Sequence, residues 1–504
     1  MLNQVANPGG ALGKKPAHLL ANAQELQRIV AELPKDNAFK ALDEVAGWLE
    51  AAQAPGALSP DRLYEAACRL EEAARPHLHR LCHDYLHTSR LSRTEEHRLW
   101  TINHDFWMLL ASTYDRCLTS FVASVKANDA LRSALPAMCT RVIASLSAVL
   151  KWQQFHYGPA PDRIWGRLGN ALLIAEAAGV ATSAAAQEYK KAMIFHAASL
   201  DSLSPLEIEL AERLIEHFLP GFVFTAEARH DCVYWVDLKL NQPPLRLARM
   251  PEQAAHSQRF YRPGAAHAEL EKLLRNLEQG GEAPPDLDLG GQYFRRTLIP
   301  VLRHLTAYLA PVPPQRRHDR HRVKHKVTVL NGLINAFVAF SDEFGGRPMG
   351  LQMESWAVEN VSRGGFGAIV PNAPADWLRV GALLALQPEG GNNWLLGIVR
   401  RYHRASDDEA RVGIETVARR AFSVELKAPP ESASYAAISG IPALLLENQG
   451  EPGEVRVVLP PASFDLRENL ECAIDKARCQ LSPLALSEHT ADYELARYNL
   501  ARLN

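Results

Sequence analysis

The 504-residue chain has no C-x-x-C pair: its seven cysteines, Cys68, Cys82, Cys117, Cys139, Cys232, Cys472 and Cys479, stand singly and are odd in number. That argues against a disulfide framework or a zinc ribbon and fits a reducing compartment. Charge of one sign is lacking too. A formal net charge of -2 gives the chain as a whole no electrostatic footprint for duplex nucleic acid or an anionic membrane. No G-x-S-x-G, P-loop or dinucleotide fingerprint is present, so no catalytic residue and no cofactor is indicated. No apolar run approaches the roughly 20 residues that span a bilayer, and the opening "MLNQVANPGGALGKKPAHLL" lacks an apolar core of signal-peptide length. The expectation is a cytoplasmic protein without a transmembrane segment, binding no nucleic acid.

A hydrophobic content of 47% is ample for buried cores, and the length allows two or three domains. From Ala17 to Leu309 apolar residues recur at three and four positions, as in "HLLANAQELQRIVAEL" and "LEIELAERLIEHFL", which predicts helices. Ser59-Pro60-Asp61 and Ser204-Pro205-Leu206-Glu207 read as helix starts, and Arg75-Pro76 as an interruption. "NALLIAEAAGVATSAAAQEYKKAMIFHAAS" predicts a helix pair, without a second copy at a fixed period. Phe222 to Leu247 breaks the helical rhythm and predicts a short hairpin.

Pro311, Pro313 and Pro314 end this half, because proline cannot continue a helix. Beyond them come "WAVENV", "FGAIV", "ALLALQ", "WLLGIVRR" and "RVGIETV", short strand-like runs separated by Gly, Pro, Asn and Asp, as a small antiparallel barrel requires. "PALLLEN", "EVRVVLP" and "YELARY" continue the β pattern to the end. The expected architecture is a multidomain α + β chain: an all-helical half, bundle or solenoid-like, over residues 1–310, a barrel with its basic linker over 311–427, and a β-rich module over 428–504.

Arg316, Arg317, Arg320, Arg322, Lys324 and Lys326 crowd one segment with His318, His321 and His325 against a single acid, Asp319. Read alone, this is a solvated basic linker. Arginine's planar fork also suits phosphate, or the O6 and N7 edge of guanine. In "ENVSRGGFGAIV", Asn360 and Ser362 lie two apart in an extended run and so share a face, and Gly364 and Gly365 permit a close approach of backbone.

Together these residues resemble the PilZ domain, the bacterial receptor module for cyclic di-GMP. Arg316 to Arg320 is similar to its R-x-x-x-R motif, with His318 to Arg322 as a second register, and Asn360, Ser362 and Gly365 to its [DN]-x-S-x-x-G motif. "LLGIVRR" and "RVGIETV" look like its later strands, so the resemblance covers about residues 314–427. It implies a cyclic di-GMP-binding effector that is not an enzyme. Arg316, Arg317 and Arg320 would wrap the dinucleotide, Asn360 and Ser362 would take a guanine from the barrel side, and Gly365 would leave room for it. The helical half would serve a protein partner, and ordering the linker would reorient it. The alternative is a scaffold whose barrel makes only protein contacts.

Other clusters carry less. His79, His83 and His87 share a helix face without the acidic partner of an H-E-x-x-H site, so no metal is expected. Trp356, Trp377 and Trp394 read as barrel core or ligand-side packing.

Overall fold

The computed structural model describes residues 18–88, 91–124, 129–179, 184–287, 289, 293–315, 319–341, 352–371, 377–406, 408–428, 440–446, 453–474, 477–490 and 492–503. The chain divides into two compact units. The first holds Met1–Gln153, Ala160–Ala198 and Glu209–Pro313; the second holds Gln154–Pro159, Ser199–Ile208 and Pro314–Asn504.

The N-terminal half is built from α1 (Ala23–Glu32), α2 (Ala38–Ala52), α3 (Pro60–His87), α4 (Arg93–Ser124), α5 (Asp129–Phe155), α6 (Ile164–Ala177), α7 (Ala184–Ala197), α8 (Pro205–His217), α9 (Gly264–Glu278) and α10 (Arg295–Tyr308). At the starts of α1 and α2 short polar side chains satisfy free amides, whereas Ser59, Arg163, Pro263 and Phe294, before α3, α6, α9 and α10, make no such bond. Asn22 accepts from the Gln24 N–H and Asn37 from the Lys40 N–H. Ser204 and Glu207 form the expected cap, the Ser204 N–H donating to the Glu207 carboxylate at 2.8 Å. The helix pair predicted after Asn170 is present as α6 and α7. Arg75-Pro76 does not interrupt its helix: α3 runs through Pro76, carried by a buried stripe that includes Leu70, Ala74, Leu78 and Leu81. Packing of that stripe outweighs the one hydrogen bond proline removes.

Ala134–Phe155 is long and apolar enough by composition to cross a membrane, with half of its most apolar window buried inside the protein. Only Arg141 and Lys151 interrupt it, and both are paired with acids, Arg141 with Glu71 and Lys151 with Glu209 and Glu212. Where a hairpin is expected, a small antiparallel sheet appears: β1 (Val223–Thr225), β2 (Tyr234–Asp237), β3 (Leu245–Arg246) and β4 (Gln258–Arg262), in the order β1-β4-β2-β3.

The second unit contains a closed antiparallel barrel of β5 (His321–Asn331), β6 (Glu354–Ser362), β7 (Gly365–Pro371), β8 (Leu383–Pro388), β9 (Leu395–Arg404) and β10 (Glu409–Ala418), paired in the order β10-β7-β6-β5-β8-β9. The five predicted strand runs correspond to β6 through β10. A sixth, β5, begins inside the basic segment. Beyond the barrel, β11 (Ala421–Leu426), β12 (Ile441–Leu446), β13 (Glu454–Leu459), β14 (Leu470–Ile474), β15 (Ala477–His489) and β16 (Glu494–Arg502) form a sheet in the order β11-β12-β13-β16-β15-β14. The short helix α11 (Leu333–Ala339) lies in the shared core, where Leu333 and Ala336 join Leu383 and Leu396 of the barrel and Leu444 and Val458 of the sheet. Trp394 belongs to the same core. Trp356 is buried and stacks on Trp377 at 5.9 Å.

Candidate ligand-binding face of the barrel

The β6–β7 turn is built by the motif residues themselves. Ser362 pairs with Gly365 across the hairpin, and the Ser362 hydroxyl donates to the Gly365 carbonyl at 3.1 Å. The Gly364 carbonyl accepts from the Thr416 N–H of β10 at 3.0 Å, tying the turn to the next strand. Gly365 is required by proximity: a Cβ there would stand 1.9 Å from the Ile414 carbonyl oxygen. The close approach that glycine permits is therefore to β10.

The strand registers assemble a row across the barrel. Arg322 of β5 faces Asn360 of β6, Asn360 faces Gly367 of β7, Gly367 faces Gly413 of β10, and Gly413 faces Arg401 of β9. Directly opposed residues project to the same side of an antiparallel pair, so this is one face. It is the outer one, because the alternate residues Ala368 and Val412 are buried. Three bulges produce this alignment, one in β5 between Arg322 and His325, one in β6 between Val358 and Asn360 and one in β9 between Val399 and Arg401. Each moves a strand by one residue and turns the polar side chains outward.

The floor of the row is glycine, covered from both ends. A Cβ on Gly367 would lie 2.8 Å from Asn360 Nδ2, and one on Gly413 would lie 3.3 Å from Arg401 Cβ. Asn360 thus rests on bare backbone from one side, and the stem of Arg401 from the other. Asn360 Oδ1 is buried and has no hydrogen-bond donor. A buried acceptor left in that state costs about 1–3 kcal/mol.

Of the predicted site residues, Asn360, Ser362 and Gly365 stand together on β6 and β7. Arg320 is exposed just before β5. Arg316 and Arg317, with His318, lie outside the described residues. The basic segment is not a linker throughout: β5 starts at His321, so Arg322, Lys324 and Lys326 are strand residues. Arg401 is a member of the row that sequence reasoning did not single out, although its G-x-V-x-R spacing on a strand was visible. His83 and His87 have ring centroids 4.5 Å apart. Among the described residues no group of three or more His, Cys, Asp or Glu is arranged to hold a metal ion.

Barrel, hairpin motif and arginine-flanked outer face define a PilZ-type domain, here following a helical half. Comparison with known families gives the same answer for both parts of the chain. Residues 24–228 match the family described as cyclic-di-GMP receptor FimW, N-terminal domain, and residues 351–422 match cyclic-di-GMP receptor FimW, middle PilZ domain. The two matches together cover just over half of the chain, which belongs to this family of PilZ-domain cyclic di-GMP receptors. Among curated proteins no match is found.

Proposed function

We propose that this chain is a cytoplasmic cyclic di-GMP effector that binds the dinucleotide on the outer face of the barrel and couples binding to reorientation of its helical half. The ligand is held by Arg316, Arg317 and Arg320 from the basic segment and by Asn360, Ser362 and Gly365 from the β6–β7 hairpin. Arg322 joins them. The observation that carries this reading is the buried, donor-free Asn360 Oδ1 beside a glycine floor and directly across from Arg322. Guanine supplies what is missing on both sides: N–H donors for the amide oxygen and an O6/N7 edge for an arginine fork. Residues 1–310 act as the partner-binding part, 311–427 as the sensor and 428–504 as its β-rich support. The protein acts by binding a signal and a protein partner, without turnover.

Calorimetric titration of the full chain with cyclic di-GMP tests the binding. Saturable binding is expected, with Ser362→Ala and Arg320→Ala weakened. No saturable heat in the wild type leaves the scaffold alternative. Small-angle scattering with and without ligand tests the coupling, and identical envelopes would sink it.

A further inference from the structure

We infer that β11 to β16 form a second barrel of the same receptor type, in which the surface corresponding to the ligand face serves to dock on the first barrel. The chain then offers cyclic di-GMP one binding face from two barrels. This rests on the binding face proposed above and adds which barrel can use it.

Strand order is the first observation. The sheet β11-β12-β13-β16-β15-β14 is joined at its edges by Lys427, just past β11, and Glu471 of β14, which exchange backbone hydrogen bonds at 2.9 and 2.7 Å. Read round that ring from its last strand, the order is sixth, third, second, first, fourth, fifth. The first barrel, β10-β7-β6-β5-β8-β9, has the same order.

The registers agree as well. In both, the turn between second and third strands is tied to the sixth: the Gly453 carbonyl accepts from the Leu500 N–H at 2.8 Å, as the Gly364 carbonyl does from the Thr416 N–H at 3.0 Å. Three residues past each of these glycines, Arg456 faces Arg497 where Gly367 faces Gly413. The next rung is buried in each case, Val457 opposite Ala496 and Ala368 opposite Val412. The fifth strand even bulges at the same place. Leu484 is skipped between Pro483 and Ala485, opposite Tyr498 and Arg497, and Arg400 between Val399 and Arg401, opposite Ile414 and Gly413. A bulge displaces every pair beyond it, so its recurrence on one rung is more than two barrels need share by closing.

What differs is the row itself. In place of Arg322, Asn360, Gly367, Gly413 and Arg401 stand Ala421, Leu446, Arg456, Arg497 and Ala485. The amide and both flanking arginines are gone, and the bare glycine floor carries two large side chains that bar the close approach of a planar base. Ala421 and Leu446 are buried, and with Leu444 and Val458 they belong to the core that holds Leu383 and Leu396 of the first barrel. Arg456 is committed to the first barrel too, its Nη2 donating to the Val417 carbonyl at 2.7 Å. Arg400, the bulged residue of β9, donates to Glu488 of β15 with both arms of its fork, at 3.0 and 2.5 Å. Freeing this face for a ligand would return apolar side chains to water and break that pair.

The test uses the full chain in two measurements. Ala421→Cys and Arg322→Cys place a thiol at corresponding points of the two rows. With a charged maleimide, no nucleotide and peptide mass as the readout, position 322 is expected to react about ten-fold faster than position 421 or more, because a docked thiol reacts only when the face opens. Equal rates overturn the docking. Hydrogen exchange of the wild type saturated with cyclic di-GMP is expected to slow in β5, β6 and β7 and to stay unchanged in β12 and β13. Slowing in β12 and β13 as large as in β6 and β7 overturns the inference by putting ligand on the second barrel. A wild type that binds no cyclic di-GMP overturns the binding face of the first barrel, and the ratio of labelling rates still decides whether the second is docked.

Discussion

Arg322 and Asn360 stand directly opposite each other in the β5–β6 ladder, a cation facing an amide on the outer wall of the barrel. A strand register fixes this, and it puts Arg322, the last residue of the second possible arginine motif, on the same face as the hairpin residues. Arg320 precedes the strand by one residue and is exposed. A guanine–arginine bidentate contact is worth roughly 1–3 kcal/mol, equivalent to about 5- to 150-fold in affinity. Arg322→Ala is therefore expected to weaken cyclic di-GMP binding within that range and at least as much as Arg320→Ala does. Calorimetry on the two variants decides the register. Full retention of affinity in Arg322→Ala would remove it from the site.

Gly365 offers a prediction in which folding and binding separate. Its missing side chain makes room for the Ile414 carbonyl, which a Cβ would meet at 1.9 Å. Gly365→Ala must therefore push the hairpin off β10 or distort it, at a cost of about 1–3 kcal/mol. Thermal unfolding should show the loss as a melting temperature lower by several degrees, with cyclic di-GMP absent. Ser362→Ala gives the contrast: its hydroxyl forms one hydrogen bond inside the turn, worth about 1 kcal/mol or less, so affinity should fall more than stability does.

A buried ionic cluster in the helical half should govern its stability. Glu71 is 6% exposed and receives the Tyr114 hydroxyl at 2.6 Å and the Arg75 guanidinium at 2.9 Å, with Arg141 closing the cluster. Glu71→Ala leaves Arg141 with the Tyr114 phenol and the more distant, half-exposed Glu72 carboxylate at 4.0 Å. Breaking one side of a buried pair costs about 3–5 kcal/mol, and the partial exposure of Arg141 sets the expectation near the lower end. Denaturant unfolding should show this loss, and Glu71→Gln, which keeps an acceptor for Tyr114, should lose less.

How far the sequence disclosed these features depends on what each one rests on. Strands β6 to β10 are legible because apolar residues are bounded by Gly, Pro and Asn, the local chemistry of hairpins. In β5 most residues before Val327 are basic and exposed, so "HRVKHKV" has the composition of a linker although its backbone is in a ladder. The strands of the small N-terminal sheet have at most five residues and leave little periodicity to detect. Asn360 and Ser362 could be paired from their spacing alone. That Arg322 and Arg401 lie in line with Asn360 depends on three bulges and four registers, which a residue count does not supply.

His196 predicts how stability responds to acid. It lies on α7 with its ring edge-on to Trp165 at 5.2 Å, and burial lowers its pKa from 6.5 to about 4. In the unfolded chain the imidazole takes up a proton near 6.5; in the folded protein it stays neutral until about pH 4. Between those values the unfolded state binds more protons, so stability rises with pH there and falls as the solution is acidified. Above pH 6.5 both states are neutral at this position and the term vanishes. Across the window the loss amounts to roughly 2–3 kcal/mol. Other groups titrate over the same range, so the measurement is a difference: denaturant unfolding of wild type and His196→Gln at intervals from pH 4 to 7. The glutamine variant should be less stable at pH 7, where it replaces a packed neutral ring, and the gap should close as the pH falls. A gap that stays constant would mean that His196 takes up its proton over the same pH range in the folded and the unfolded protein.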